Sequence, residues 1–387
     1  MVERNVILFK WRNFFTDLRF YGPIAIIYFQ QVTGSYALGL AVFSIASIAS
    51  TIFEVPTGIF SDRIGRKKTL VFGSFANLLA ICFFAFAHSF FILIIGAIFE
   101  GLTISLFSGN NEALLYDTLN EQGKKNTFSD TLGKVSSLFQ IGLAVAAFFG
   151  GFIASYSLRL TMILTIIPQI ICLIITLFFV EPTIHGKEVS GNIFMHLKDA
   201  YRAFIQNSKL RKLSLASILS YGIGETNHQF QPAFFQLLWP MWALGIVRTL
   251  EHIFAFFSFY FAGNIIKKFT ALKTLVSQQL FTRINAIVFV GIPNIVSPFM
   301  LSLNSLFFGV ERVASQTLLH KEFTDEQRAT MGSLNALVGS LFFALFSFLV
   351  GFVADMFGPM KALLLGEVLL LSVVYIYKNL FKHHQYD

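Results

Sequence analysis

Arg248, Glu251 and His252 fall within one apolar run, three and four residues apart, so helical spacing puts all three on one face. Such a face can do two kinds of chemistry. In one, the arginine neutralises Glu251 in a permanent pair. In the other, it holds an anionic group of a ligand while Glu251 or His252 takes up and releases a proton. A carboxyl group in apolar surroundings keeps its proton to higher pH than in water, which suits reversible protonation near neutrality. Glu54, Glu100, Glu112, Asp117, Glu225, Arg283, Glu311, Arg312 and Glu367 also lie in apolar runs. A charge at the centre of a bilayer costs roughly 2.5–3.5 kcal/mol on insertion scales, so each of these needs a partner or a function. Cys82 and Cys172 both fall in apolar runs, and neither a metal-ligand cluster nor a nucleophile–base arrangement stands out. No metal, cofactor or enzymatic activity is expected.

The elements that position these residues are membrane spans. The chain is 55% hydrophobic and only 13% charged, with a mean hydropathy of +0.68. A soluble domain carries roughly 25% charged residues, so this chain has about half the charge needed to cover a globular surface. Apolar runs near 18–33, 37–60, 69–88, 91–118, 130–155, 158–180, 211–230, 237–265, 272–292, 295–319, 328–354 and 359–380 predict twelve transmembrane helices. The first is short, and Asn5 to Thr16 before it reads as an amphipathic helix lying at the interface. The termini and the loops near 61–68, 119–129, 181–210, 266–273 and 320–327 hold nearly all the remaining Lys and Arg; the alternate loops hold only Arg159 and Lys361. That asymmetry predicts cytoplasmic termini and explains the net charge of +8 without a nucleic-acid partner.

The longest polar stretch separates two sets of six spans. We therefore expect an N-terminal six-helix bundle over 1–182, a cytoplasmic linker over 183–210 and a C-terminal six-helix bundle over 211–387. Within the linker, 193–204 has helical apolar spacing suited to the membrane surface. Gly151-Phe-Ile-Ala-Ser-Tyr and Gly351-Phe-Val-Ala-Asp-Met lie 200 residues apart, as a duplicated bundle would place them.

Between the second and third spans runs Gly58-Ile-Phe-Ser-Asp62-Arg63-Ile-Gly65-Arg66-Lys67-Lys68. It resembles the G-x-x-x-D-R-x-G-R-K/R signature of the major facilitator superfamily at every defined position. The resemblance implies two pseudo-symmetric six-helix bundles around a central cavity, an all-α integral membrane fold with twelve transmembrane helices. It also implies that Asp62 meets the N-terminal end of the eleventh span, while Arg63 and Arg66 complete a charge network that latches the outward-open state. The alternative is that these cations only enforce topology. A degraded copy, Gly263-Asn-Ile-Ile-Lys267-Lys268, carries lysine where the acid belongs.

In the fifth span, Gly142-Leu-Ala-Val-Ala-Ala-Phe-Phe-Gly150-Gly151 is similar to the G-x-x-x-G-P-x-x-G-G signature of antiporters, with Ala146 and Ala147 in place of the central Gly-Pro. Its glycines permit close helix packing. In the fourth span, Ala97-Ile-Phe-Glu100-Gly101 departs from the R-x-x-Q-G pattern of proton-coupled exporters. Phe53–Gly58 and Ser108–Asp117 resemble a bacterial subgroup of permeases.

The family architecture places spans 1, 4, 7 and 10 around the cavity, which selects Glu112, Glu225, Glu311 and Arg312. Glu112 and Arg312 are 200 residues apart and so equivalent in the two repeats; they are expected to pair across the cavity in one conformational state, the alternative being a permanent ion pair within each half. The expected function is secondary active transport of a small solute by alternating access. It is coupled to protons, with sodium as the alternative ion, and leans to efflux by antiport. A proton-symport importer and a non-transporting receptor or scaffold on the same fold are the other readings. The chain is expected to act as a monomer in the bacterial inner membrane.

Overall fold

The computed structural model describes residues 3–183, 204–205, 207–322 and 325–383; the surface helix expected over 193–204 lies outside them but for its last residue. Among the described residues there is no strand. The helices are α1 (Glu3–Thr16), α2 (Ala25–Thr33), α3 (Tyr36–Ile64), α4 (Arg66–Ala85), α5 (Phe90–Phe107), α6 (Asn110–Glu121), α7 (Phe128–Tyr156) and α8 (Leu158–Leu177), followed by α9 (Ser208–Phe235), α10 (Met241–Phe269), α11 (Ala271–Gly291), α12 (Ser297–Ser302), α13 (Phe308–Lys321), α14 (Asp325–Phe357), α15 (Pro359–Leu369) and α16 (Leu371–His383). Eight helical stretches are long and apolar enough to cross a membrane by length and composition. The other four of the twelve spans are interrupted or more polar: α1 with α2, α9, α11, and α12 with α13.

The chain forms two compact units, Met1–Glu188 with Pro240–Thr249, and Val189–Trp239 with Leu250–Asp387. In the first, α3 and α4 pack on α5, and α4 and α1 pack on α8. Its core gathers Phe9, Leu70, Leu114, Leu115, Leu119, Val135 and Phe179. In the second, α9 packs on α14 and α15, and α11 on α13, α15 and α16. Helix starts are fixed locally. The side chains of Ser35, Ser157 and Asn207 accept from the N–H of Leu38, Leu160 and Leu210, supplying acceptors that a helix cannot provide for its own first turn.

The segment Asn5–Thr16 does not lie at the interface. It is α1, packed on α6, α7 and α8, with Asn5, Phe9 and Arg12 each at most 1% exposed. Its polar residues have partners inside the bundle. Asn5 donates to Thr118 Oγ1 at 3.1 Å and to the Val180 carbonyl at 2.8 Å, so its burial costs little. The first span therefore begins at Glu3 and breaks over 17–21 before resuming. Pro23 stands at the end of the break, where it has no N–H to offer the Arg19 carbonyl, which accepts from Gly22 instead. The fourth span also breaks, at Ser108–Gly109, where Gly109 takes φ +69°.

Candidate functional site

The break in the first span leaves backbone groups that hydrocarbon cannot satisfy. Polar side chains of α8 supply the partners. Gln169 Nε2 lies 3.2 and 3.3 Å from the Phe15 and Thr16 carbonyls, and the Phe20 N–H donates to Thr165 Oγ1 at 3.1 Å. The break also delivers Arg19 into the interior of the first unit. Its Nη1 donates to Glu100 Oε1 at 2.7 Å and to the Tyr21 hydroxyl at 3.3 Å, and its Nη2 to Asn77 Oδ1 at 3.2 Å. Asn77 in turn donates to Gln169 Oε1 at 2.6 Å. The Arg19 and Glu100 side chains are 21% and 17% exposed, so this is a partly buried charge pair whose other polar contacts keep the arginine fixed. Asp17 lies within the field of Arg19 and Arg12, and its carboxylate accepts no hydrogen bond from a described residue. Four helical segments thus converge on one arginine and two carboxylates.

The loop between α3 and α4 turns at Gly65, whose φ of +92° only glycine adopts without strain. Its order comes from two acids elsewhere in the first unit. Arg66 Nε pairs with the buried Asp117 at 2.9 Å. The Glu181 carboxylate accepts from the Arg66 and Lys67 N–H groups at 2.8 and 2.7 Å. It is a carboxylate at the positive end of α4, held by charge-assisted hydrogen bonds. Gly58, Asp62 and Arg63 are exposed on α3.

The second unit carries its own charge cluster. Glu367 of α15 accepts from Asn227 of α9 at 2.8 Å and pairs with Arg283 of α11. Glu311 of α13 accepts from Gln279 Nε2 at 2.6 Å and Ser220 Oγ at 3.2 Å. Glu225 is half-buried and accepts from Gln229 at 2.7 Å. Arg312 is exposed.

The remaining expected residues are placed as follows. Glu112 is exposed in the first turn of α6, in the first unit, whereas Arg312 belongs to the second. On α10, Arg248 and Glu251 are 6% and 5% exposed, with His252 next in sequence and half-buried. The glycines of α7 sit against backbone: Gly142 against the Phe14 carbonyl, Gly150 against the Phe20 carbonyl and Gly151 against Gly245. The first two seat α7 on the broken first span.

Sequence reasoning missed Glu181, the pairing of Arg19 with Glu100 and that of Arg283 with Glu367. Glu181 left one signal: a Glu-Pro step just after the sixth apolar run, which the span count puts on the same side as the 61–68 loop. The pairs left none, because their members lie 81 and 84 residues apart.

A family model described as the Major Facilitator Superfamily matches residues 14–343. An uncharacterized MFS-type transporter of Bacillus subtilis, YxaM, is 23% identical, the match covering 92% of this chain and 90% of the relative. The class H tetracycline resistance protein of Pasteurella multocida is 22% identical over 87% of this chain and 85% of its own length. Among solved structures, a point mutant of the nucleoside transporter NupG superposes with a TM-score of 0.82 at 13% identity, covering 97% of this chain and 99% of that one.

Proposed function

The chain belongs to the Major Facilitator Superfamily, and on that premise we propose that this multi-pass membrane transporter is a proton-coupled secondary transporter of small solutes, working by alternating access in the direction of efflux. The observation that supports coupling is the Arg19–Glu100 pair with Asp17 beside it, a cluster of ionisable groups inside the membrane span that a proton or solute can rearrange. A proton bound by one carboxylate releases the arginine, which biases a two-state equilibrium by the difference in its contacts. The likeness to a tetracycline resistance protein over most of both chains supports the efflux direction. In the same reading Asp62 and Arg63 form the latch. Glu112, Glu225, Arg248, Glu251, His252, Glu311 and Arg312 serve the cavity, and the bundles divide at 183–210. Both termini lie in the cytoplasm of a bacterial cell, and one copy is the working unit.

The test is proton movement in proteoliposomes holding the purified chain and a pH-sensitive dye, with a metabolite and drug panel. A solute-evoked proton signal, lost in Glu100→Gln and slowed in Asp62→Asn, is expected. Its sign separates antiport from symport. A signal unchanged in Glu100→Gln refutes the assignment of coupling to this cluster, and silence across the panel with solute binding retained favours a receptor.

A further inference from the structure

Among the described residues, Arg12 is the one fully buried arginine that the cluster above does not explain. It is 1% exposed, inside the first unit. Its Nη1 donates to Asn111 Oδ1 at 2.8 Å, and its guanidinium sits 4.2 Å over the Phe107 ring. Nε and Nη2 are buried and have no hydrogen-bond partner. No acid among the described residues forms an ion pair with it, although Asp17 acts on it through space. Glu112, on the neighbouring helix, is exposed. An unpaired cation at this depth is among the least favourable things a membrane span can hold.

Its location makes matters worse for a cation and better for an anion. Asn111 stands in the first turn of α6, directly after the break at Ser108–Gly109. In that turn the Asn110 and Ala113 N–H groups donate to the Ser108 and Gly109 carbonyls, those of Asn111 and Glu112 have no acceptor within the helix, and the helix dipole puts positive charge there. Arg12 thus reaches the positive end of this twelve-residue helix through Asn111, with two of its guanidinium nitrogens still without a partner, across a break that needs no helical ladder to be broken further. Arginine's planar fork matches a two-oxygen acceptor.

We propose that Arg12 and the first turn of α6 form an anion site that takes a carboxylate or phosphate group of the transported solute. The inference rests on the transport reading above, since the site is closed over in this structure and alternating access is what opens it. A guanidinium left unpaired in the closed state is held ready for its ligand, and the solute's oxyanion supplies the charge that the protein withholds. Asp17 lies within the field of both Arg12 and Arg19 and so ties this site to the proton cluster.

The experiment is thermal unfolding of the full chain in detergent, read by a thiol-reactive dye, in sodium phosphate, acetate or succinate against sodium chloride at equal ionic strength. Wild type is expected to gain stability saturably with at least one oxyanion. Whether phosphate or the carboxylates act identifies the group. Arg12→Gln is expected to melt at or above wild type without anion and to be blind to it. Arg12→Lys, which keeps the charge and loses the fork, is expected to respond with a midpoint at least tenfold higher. No oxyanion effect on wild type overturns the site, as does an equal effect on Arg12→Gln. If Arg12→Gln does not fold, an undiminished response of Arg12→Lys overturns it. Anion binding without any solute-evoked proton signal sinks the coupling and leaves the site. Proton-coupled movement of neutral or cationic solutes, with no anion effect, does the reverse.

Discussion

Replacing Glu100 by leucine tests whether the Arg19–Glu100 pair is an energetic element of the first unit. The substitution leaves Arg19 without its counter-charge but with Asn77 Oδ1 at 3.2 Å, the Tyr21 hydroxyl at 3.3 Å and the Thr16 carbonyl at 3.4 Å. Breaking a buried pair costs about 3–5 kcal/mol. The three surviving acceptors, and side chains 21% and 17% exposed, put the expected loss at the lower end, about 3 kcal/mol. Glu100→Gln keeps an oxygen near the 2.7 Å acceptor position and loses only charge assistance, about 1 kcal/mol. Arg19→Met with Glu100→Leu removes both charges. Apolar replacement of a whole pair is often neutral, so the double variant should recover about 2 kcal/mol or more relative to the sum of its single losses. The chain offers a suitable reporter. Its 2 cysteines, Cys82 and Cys172, both belong to the first unit. Cys172 is 1% exposed and contacts Thr16 Oγ1 at 3.1 Å, beside the break. Thiol labelling during denaturation therefore reads the opening of this unit. Equal labelling midpoints for wild type and Glu100→Leu, or single losses that simply add in the double variant, would refute the reasoning.

In the second unit, Glu367→Leu strands both Arg283 and the Asn227 amide, and is expected to cost more than about 4 kcal/mol and to abolish folded yield, whereas Glu367→Gln, which keeps the Asn227 acceptor, should be recovered folded; size-exclusion profiles of the two variants check this. Glu181→Gln retains one acceptor for the start of α4 and loses the second charge-assisted bond, for an expected loss of about 1–2 kcal/mol. Faster amide hydrogen exchange at Arg66 and Lys67, with exchange elsewhere in the first unit unchanged, is the expected result; uniform exchange would contradict it.

The 61–68 loop was found by its charges and glycines, and Gly65 turns it with a positive φ. Asp62, expected to meet the eleventh span, is exposed on α3; the acid at the start of α4, which the sequence did not point to, is Glu181, 115 residues from Arg66. The charges before the first apolar run made Asn5–Thr16 read as a surface helix. Nothing in that segment announced that Thr118, Val180 and Asn111 would receive its polar groups.

The sequence by itself determined the membrane class, the twelve spans and the family, because hydropathy, loop charge and a contiguous signature are local properties that add along the chain. Tertiary structure alone decided which charges meet. Spans that are apolar nearly all round give little periodic signal of their rotation about their own axes. Whether Arg19 reaches Glu100, or Arg12 forms no ion pair with a described acid, is therefore set by how the helices pack and where they break.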